Sequence, residues 1–254
     1  PVARRAPGVV EEEAPDQPLL VRGNHRNLGD VVPRGYLTAV DNQPYGDPGL
    51  VRLQLANAVT ASDNPLTARV AVNRLWRHLF GYGLVRTVDN FGRLGDLPSH
   101  PELLDYLANE FVNGGYSVKR LVRRLALTRT YRLSSEASPK STEVDPSNRW
   151  LQHGNLRRLD AEAARDAVLA VSGALDRSVP ERAHPFPDPK TWSFTQHEPF
   201  NAVYDRPVRS IYLMVQRQSK HPFFAVFDGA SPTTSTGKRT TTTTPIQSLF
   251  LMND

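Results

Sequence analysis

The sequence of 254 residues predicts a mainly α-helical fold with a small β element. Three segments, 62–81, 102–132 and 156–176, repeat apolar residues at helical spacing, and the first two carry clear helix start signals. Runs typical of β-strands are few and short. Hydrophobic residues make up 39% of the chain, which is enough to form a packed core.

The first part of the chain predicts a lead-in followed by a short β element. Residues 1–18 are rich in Pro, Glu, Ala and Arg and show no periodicity, so we expect a flexible lead-in. Two β-like runs follow at 19–22 and 36–40, with a connection rich in Gly, Asn and Pro between them. The segment RSIYLMVQR at 209–217 is a further strand candidate, and we expect it to join the N-terminal run.

Helical periodicity begins near residue 50 and is strongest in the segment that follows Asn64. A first helix is predicted over 50–61. Asn64 is a good N-cap for the next helix, and Pro65 fits its first position. That helix has two apolar faces, which is typical of a helix central to a core. The faces comprise Leu66, Val70, Asn73, Trp76 and Phe80, and Ala68, Val72, Leu75 and Leu79.

Two further helices are predicted over 102–132, on either side of Gly114 and Gly115. Ser99 and Glu102 match a capping box, in which the serine caps the helix and the glutamate reaches back. Ser117 is predicted to cap the second helix. Its outer face is basic and contains Lys119, Arg120, Arg123 and Arg124.

The C-terminal half predicts one strong helix between two long loops. Helical spacing over 156–176 predicts an inward face of Ala164, Ala167, Val168, Val171, Ala174 and Leu175. Polar loops are expected at 134–148 and 177–206. Thr244 and Gln247 form a second capping box around Pro245, and this predicts a last helix that the chain end cuts short. Residues 19–254 are expected to form one domain, truncated at its C-terminus.

Composition narrows the function classes. The chain has no Cys, which excludes disulfides, thiolate metal sites and covalent c-type haem attachment within it. No apolar stretch is long enough to predict a membrane span, and no segment of this sequence has the pattern expected of a signal peptide. The seven His are not paired at metal-binding spacing, so we expect no metal or other cofactor in this chain. A metal site assembled from distant residues stays an alternative.

The best local candidate for a site is the polar loop 87–100. Glycines give it freedom to fold tightly, and the side chains of Asp89, Asn90, Arg93, Asp96 and His100 could converge there. His100 would lie at a helix N-terminus, which favours an anionic ligand. The alternative is that Asp89 and Asn90 form Asx turns and His100 only fills the first helical turn.

A second candidate is the charged group of Arg157, Arg158, Glu162, Arg165 and Asp166. It could line a site for an acidic ligand, with Arg158 and Arg165 as the binding residues. The alternative, which we prefer, is an ion-pair network that ties this helix to the core. If the protein is an enzyme, Asp89, His100 and Asp166 are the candidate acid and base groups.

The net charge of +5, with 26 Arg against 5 Lys, raises nucleic-acid binding as a further alternative. The two helices over 102–132 are similar to a helix-turn-helix, and the basic face of the segment 117–132 would be the contact surface. Many antiparallel helix pairs share this pattern, so nucleic acid is the less favoured partner.

The segment 63–135, which begins DNPLTARVAVNRLWRHLFG, resembles the planctomycete-specific domain one, also called domain of unknown function 1553. The resemblance extends upstream to 21–37 and downstream to 148–176, 209–217 and 240–254. Matching positions carry no assigned roles in the family. They include Asn64, Pro65, Arg69, Asn73, Trp76, Asp89, Phe91, Gly92, His100, Pro101, Arg158 and Asp166.

The resemblance implies an extracellular or cell-envelope setting within a larger planctomycete protein. It also implies that some full-length relatives carry haem on a separate cytochrome-c-like module upstream. We therefore expect an interaction or structural module whose partners are other domains of the same chain or envelope components. A hydrolase-like enzyme acting on extracellular polysaccharide is the alternative, and the sequence leaves open whether the protein is an enzyme.

Overall fold

The computed structural model describes residues 16–41, 43–46, 49–180, 205–217 and 220–253. These residues contain eight α-helices and one two-stranded sheet, so the predicted mainly α fold with a small β element is confirmed. The lead-in at 1–18 and the loop at 177–206 lie largely outside the described residues, as do His184 and His197.

The contacts group into two compact units, with unit one ending at Arg132 and unit two beginning at Leu133. The expectation of one domain over 19–254 stays a prediction. Unit one contains strands β1 (Gln17–Leu20) and β2 (Leu28–Val32) and helices α1 (Val51–Thr60), α2 (Thr67–Phe80), α3 (Pro101–Asn113) and α4 (Val118–Ala126). Unit two contains α5 (Pro139–Val144), α6 (Ala161–Val171), α7 (Pro222–Val226) and α8 (Pro245–Asn253).

The β element differs from the predicted one. Strands β1 and β2 pair antiparallel, and the chain between them turns through Asn24, whose side chain accepts the N–H of Arg26. The predicted strand at 36–40 is wrong, because its last residues form a turn closed on the carbonyl of Leu37. The predicted strand at 209–217 is also wrong. Residues 210–212 form a 3₁₀ turn there, since the N–H of Ser210 donates to the Asp166 carboxylate instead of a strand partner.

Asn64 makes the hydrogen bonds that were predicted for the cap of α2. Asn64 is buried, and its Oδ1 accepts the N–H groups of Leu66 at 2.9 Å and Thr67 at 3.3 Å. Its Nδ2 donates to the carbonyl of Ala58 at 2.9 Å and to the hydroxyl of Tyr36. One side chain therefore starts α2 and fixes the turn that follows α1.

The core of unit one lies between α2, α3 and α4, as predicted. Trp76 stacks on Phe80 with ring centroids 4.1 Å apart. Helices α3 and α4 pack against α2, and Ser117 accepts the N–H of Arg120 at the start of α4. The buried apolar side chains of the three helices are Ala68, Val72, Trp76, Phe80, Leu104, Leu107, Ala108, Phe111, Leu121 and Leu125.

The capping box predicted at Ser99 is wrong. Helix α3 begins at Pro101, so the N-cap position falls on His100, which makes no side-chain cap bond. The residue before a proline avoids the helical region, and His100 has φ −136° and ψ 81°. Ser99 therefore lies one residue too early to cap. Its hydroxyl bonds to Nδ1 of His100 at 2.9 Å instead.

The inward face predicted for α6 is also wrong. Val168 is 50% exposed and Val171 is 92% exposed, whereas Ala161 and Arg165 are buried. The guanidinium of Arg165 has hydrogen-bond partners that only the interior of unit two supplies, and these turn its face of the helix inward. The predicted polar loop at 134–148 contains the short helix α5, which Ser138 caps through the N–H of Ser141.

Helices α7 and α8 meet through an aromatic cluster. Phe223 stacks on Phe227 at 4.4 Å, and the ring of Phe250 contacts both edge-on. One of the two bonds of the second predicted capping box forms here, because Oε1 of Gln247 accepts the N–H of Thr244 at 3.2 Å, whereas the N–H of Gln247 donates to the backbone carbonyl of Thr244. The polar start of α8 and its apolar side are thus both fixed within unit two.

Replacing Trp76 with alanine should destabilise unit one strongly. The indole is 5% exposed and stacks on Phe80, so its removal leaves a cavity that the three helices can only partly fill. We expect Trp76→Ala to lower the free energy of unfolding by about 3–5 kcal/mol, measured by chemical denaturation. Leu94→Ala is the control, because Leu94 is 90% exposed and its truncation should cost little. Equal effects of the two changes would contradict this core.

Candidate functional site

The loop that follows α2 is anchored by one buried side chain. Asn73 is fully buried, and its amide donates to the carbonyl of Val85 at 3.0 Å and accepts the N–H of the same residue at 2.9 Å. The side chain thus makes the two backbone hydrogen bonds of Val85 that a neighbouring β-strand would otherwise make. Gly83 lies against this pair, and a Cβ there would be 2.4 Å from the Val85 carbonyl oxygen.

Thr87 organises the rest of the loop. Its hydroxyl donates to the carbonyl of Asn90 and accepts the N–H of Asp96, both at 2.9 Å. Oδ1 of Asn90 accepts the N–H of Gly92 at 3.0 Å, which is an Asx turn. Gly95 packs so tightly that a Cβ would lie 2.1 Å from the Asn90 carbonyl oxygen. The polar residues of this loop therefore build the turns, which matches the alternative interpretation of the sequence.

The charged residues of the loop have separate surroundings. Asp89 lies 3.3 Å from Arg74 of α2, and both side chains are more than half exposed. His100 bonds to Ser99 through Nδ1. Arg93 is exposed and makes no hydrogen bond or ion pair with another described residue. These contacts hold the loop on α2 and do not join Asp89 to His100.

Arg165 and Asp166 of α6 bind the backbone of residues 206–210 in unit two. Nη1 of Arg165 donates to the carbonyl of Val208 at 3.1 Å, and Nη2 bonds to Asp205 at 2.5 Å and to the carbonyl of Arg206. Oδ1 of Asp166 accepts the N–H of Ser210 at 2.8 Å and its hydroxyl at 2.6 Å. Adjacent residues of α6 thus satisfy the polar backbone of residues 206–210.

Asp205 is the charged partner at the edge of this cluster. Burial alone would raise the pKa of Asp205, but the nearby Arg165 guanidinium outweighs it and lowers the pKa below the usual value. Nε2 of His221 lies 3.3 Å from Oδ1 of Asp205, and neither ring nitrogen has a hydrogen bond of good geometry. The distance permits an ionic attraction when the imidazole is protonated.

Arg158 and Glu162 belong to a third group of contacts. Arg158 donates to the carbonyl of Thr242 and to Gln247 Oε1, the latter at 2.9 Å. Glu162 accepts two bonds from Arg239. Burial alone would raise the pKa of Glu162, but the Arg239 hydrogen bonds lower it overall. The predicted ligand-binding arginines Arg158 and Arg165 therefore make the internal bonds that the network interpretation expects.

An open groove lies on unit one, away from these polar clusters. It has a volume of about 550 Å³. Three of its lining residues, Leu66, Val70 and Leu75, belong to the predicted apolar faces of α2, but the sequence does not show that they stay exposed. The groove is lined by Leu66, Thr67, Val70, Ala71, Arg74, Leu75 and His78 of α2 and its start, by Phe111 of α3 and by Val118 of α4.

Searches of the described part of the chain bear on metal and membrane sites. No group of three or more His, Asp or Glu side chains there is placed to hold a metal ion. None of the described helices combines the length and apolar character that crossing a bilayer requires.

Comparisons with known proteins give one match. The model of the family PSD1, described as protein of unknown function (DUF1553), matches residues 51–254. No curated protein and no solved structure matches the chain.

Replacing Asn73 with alanine should weaken the anchor of the loop. The change leaves a buried N–H and a buried C=O of Val85 without partners, at a cost of about 1–3 kcal/mol for each group. Gly83→Ala should destabilise in the same way, by pushing its Cβ into the Val85 carbonyl. Asn90→Ala, at an exposed turn, is the control for chemical denaturation. The anchor is refuted if Asn73→Ala unfolds no more easily than this control.

The stability of unit two should fall in acid. The pKa values of Asp205, Glu162 and Asp228 lie below their usual range, so the folded state binds these protons less tightly than the unfolded chain. These carboxylates make their full contribution to the free energy of unfolding above the ordinary carboxyl pKa of about 4. The contribution is lost as the pH falls through the lowered pKa values. We expect thermal melts between about pH 5 and pH 2 to show a smaller decline for Asp205→Asn. The exposed Asp30→Asn should keep the wild-type decline.

Proposed function

The chain belongs to the PSD1 family of proteins of unknown function (DUF1553), and from this we propose that it is a non-catalytic interaction module. Its setting is the envelope or exterior of a planctomycete cell, within a larger protein. The partners are other domains of that protein or envelope components.

The observation that carries the proposal is the open apolar groove on unit one. Single exposed apolar side chains are normal on a protein surface, whereas a concave apolar surface is typical of a binding site. Leu66, Val70 and Leu75 line this groove and stay partly exposed. A partner that filled the groove would remove this apolar surface from water.

The polar contacts support binding over catalysis. The three candidate acid and base residues each serve the fold: Asp89 pairs with Arg74, His100 bonds to Ser99, and Asp166 holds Ser210. A general acid or base has to reach a substrate atom, and hydrogen bonds committed to the fold leave less capacity for that. Asp89 and His100 lie in unit one and Asp166 lies in unit two.

A hydrolysis assay separates this function from the polysaccharide-hydrolase alternative. We expect the purified chain to release no new reducing ends from neutral or acidic polysaccharides, relative to heat-denatured protein. Asp89→Asn and Asp166→Asn are the matched variants, each checked by thermal melt for folding. Release by the wild type that either folded variant abolishes would overturn the non-catalytic assignment. Fractionation of native cells that places the full protein in the cytoplasm would overturn the proposed setting.

A further inference from the structure

We propose that the groove on unit one binds a single amphipathic α-helix with carboxylates along one edge. This inference rests on the proposed function as an interaction module and names the chemistry of the partner. The occupant would be a segment of another domain or protein with apolar residues at helical spacing.

The first step is that one side of α2 is packed in the core of unit one and the groove side is not. Ala68, Val72 and Trp76 are buried against α3 and α4. The residues that line the groove include Leu66, Val70 and Leu75, which stay partly exposed. The groove side of α2 therefore keeps apolar surface that unit one does not cover, and a partner helix could bury it.

The second step is that the groove suits a helix. Its long wall runs along α2 from Leu66 to His78, which corresponds to roughly 18 Å at 1.5 Å per residue. Phe111 of α3 and Val118 of α4 complete its lining. Side chains at i, i+4 and i+7 of an added helix would pack along such a wall, which is how helix-in-groove recognition works.

The third step is the charge of the groove. Its lining contains the guanidinium of Arg74, and no carboxylate is among the described residues that form it. Val118 is followed by the exposed Lys119. The surrounding chain has the same sign, because residues 51–132 contain twelve Arg or Lys and six Asp or Glu. A partner with carboxylates at its edge is therefore favoured over a neutral or basic one.

The ion pair between Arg74 and Asp89 does not prevent Arg74 from binding a carboxylate of the partner. Arg74 and Asp89 lie 3.3 Å apart with both side chains more than half exposed. Exposed pairs of this kind contribute little stability, so Arg74 can turn toward a second carboxylate at small cost. Arg74 thus sets the preferred charge of the partner, while the apolar side chains provide most of the buried surface.

Binding of two matched peptides to the full chain tests the proposal. The first is a helix-stabilised peptide of about four turns with Leu at i, i+4, i+7 and i+11 and Glu along one edge. The second has Lys at each Glu position. We expect fluorescence anisotropy to show saturable binding of the Glu peptide, and at least tenfold weaker binding of the Lys peptide.

Variants of the groove locate the binding. Val70→Asp should weaken the Glu peptide at least tenfold, while Val171→Asp, on an exposed face of α6 in unit two, should leave it unchanged. Arg74→Glu should reverse the preference, so that the Lys peptide binds more tightly than the Glu peptide. Arg74 is exposed, so this variant keeps the test valid even if Val70→Asp unfolds.

Three results would overturn the inference: no saturable binding of the Glu peptide, equal binding of both peptides, or a preference that Arg74→Glu does not change. Self-association of the chain that Val70→Asp abolishes would assign the groove to a second copy instead. None of these results involves polysaccharide hydrolysis. Failure of the Glu peptide to bind would therefore rule out this class of partner alone, whereas polysaccharide hydrolysis would rule out the proposed function.

Discussion

The pairing of Asn73 with Val85 is the contact on which the arrangement of unit one depends. A fully buried amide in the middle of α2 supplies both hydrogen bonds that the backbone of Val85 requires. The chain is therefore held against α2 immediately after the helix ends, and Leu84 and Val88 are buried beside it. The carbonyl of Leu84 accepts the N–H of Ser99, so the same anchor fixes where the approach to α3 begins. The directions of α2 and α3 follow from one polar side chain in an apolar core.

Local signals in the sequence were sufficient for the helices of unit one. Ser117 caps α4 as predicted, and Asn64 makes its predicted capping bonds although α2 begins only at Thr67, because such bonds join residues two or three positions apart. The cap predicted at Ser99 failed for an equally local reason, since Pro101 fixes the first helical position. The partner of Asn73 was not predictable, because a buried amide twelve residues from Val85 leaves no periodic trace in the sequence.

Unit two shows where periodicity misleads. The apolar side of α6 was expected to face inward, yet Arg165 is the buried residue and Val171 is exposed. Burying a guanidinium is costly unless it has acceptors, and the acceptors of Arg165 lie on this side of α6, so this side faces inward. The strand predicted at 209–217 does not form for a related reason, because the carboxylate of Asp166 accepts the N–H of Ser210. Of the candidate site, the sequence identified the residues of the polar clusters but not their partners forty or more positions away.

The hydrogen bonds of the Gln247 side chain have a consequence for how unit two unfolds. Its Oε1 accepts from Thr244 at the start of α8 and from Arg158 before α6, and its Nε2 donates to the carbonyl of Val226 at the end of α7. The first turn of α8 cannot fray without releasing the ends of two other helices. Backbone amides in α6, α7 and α8 should therefore exchange with solvent deuterium through a shared opening, as one cooperative block, even though α7 has only five residues.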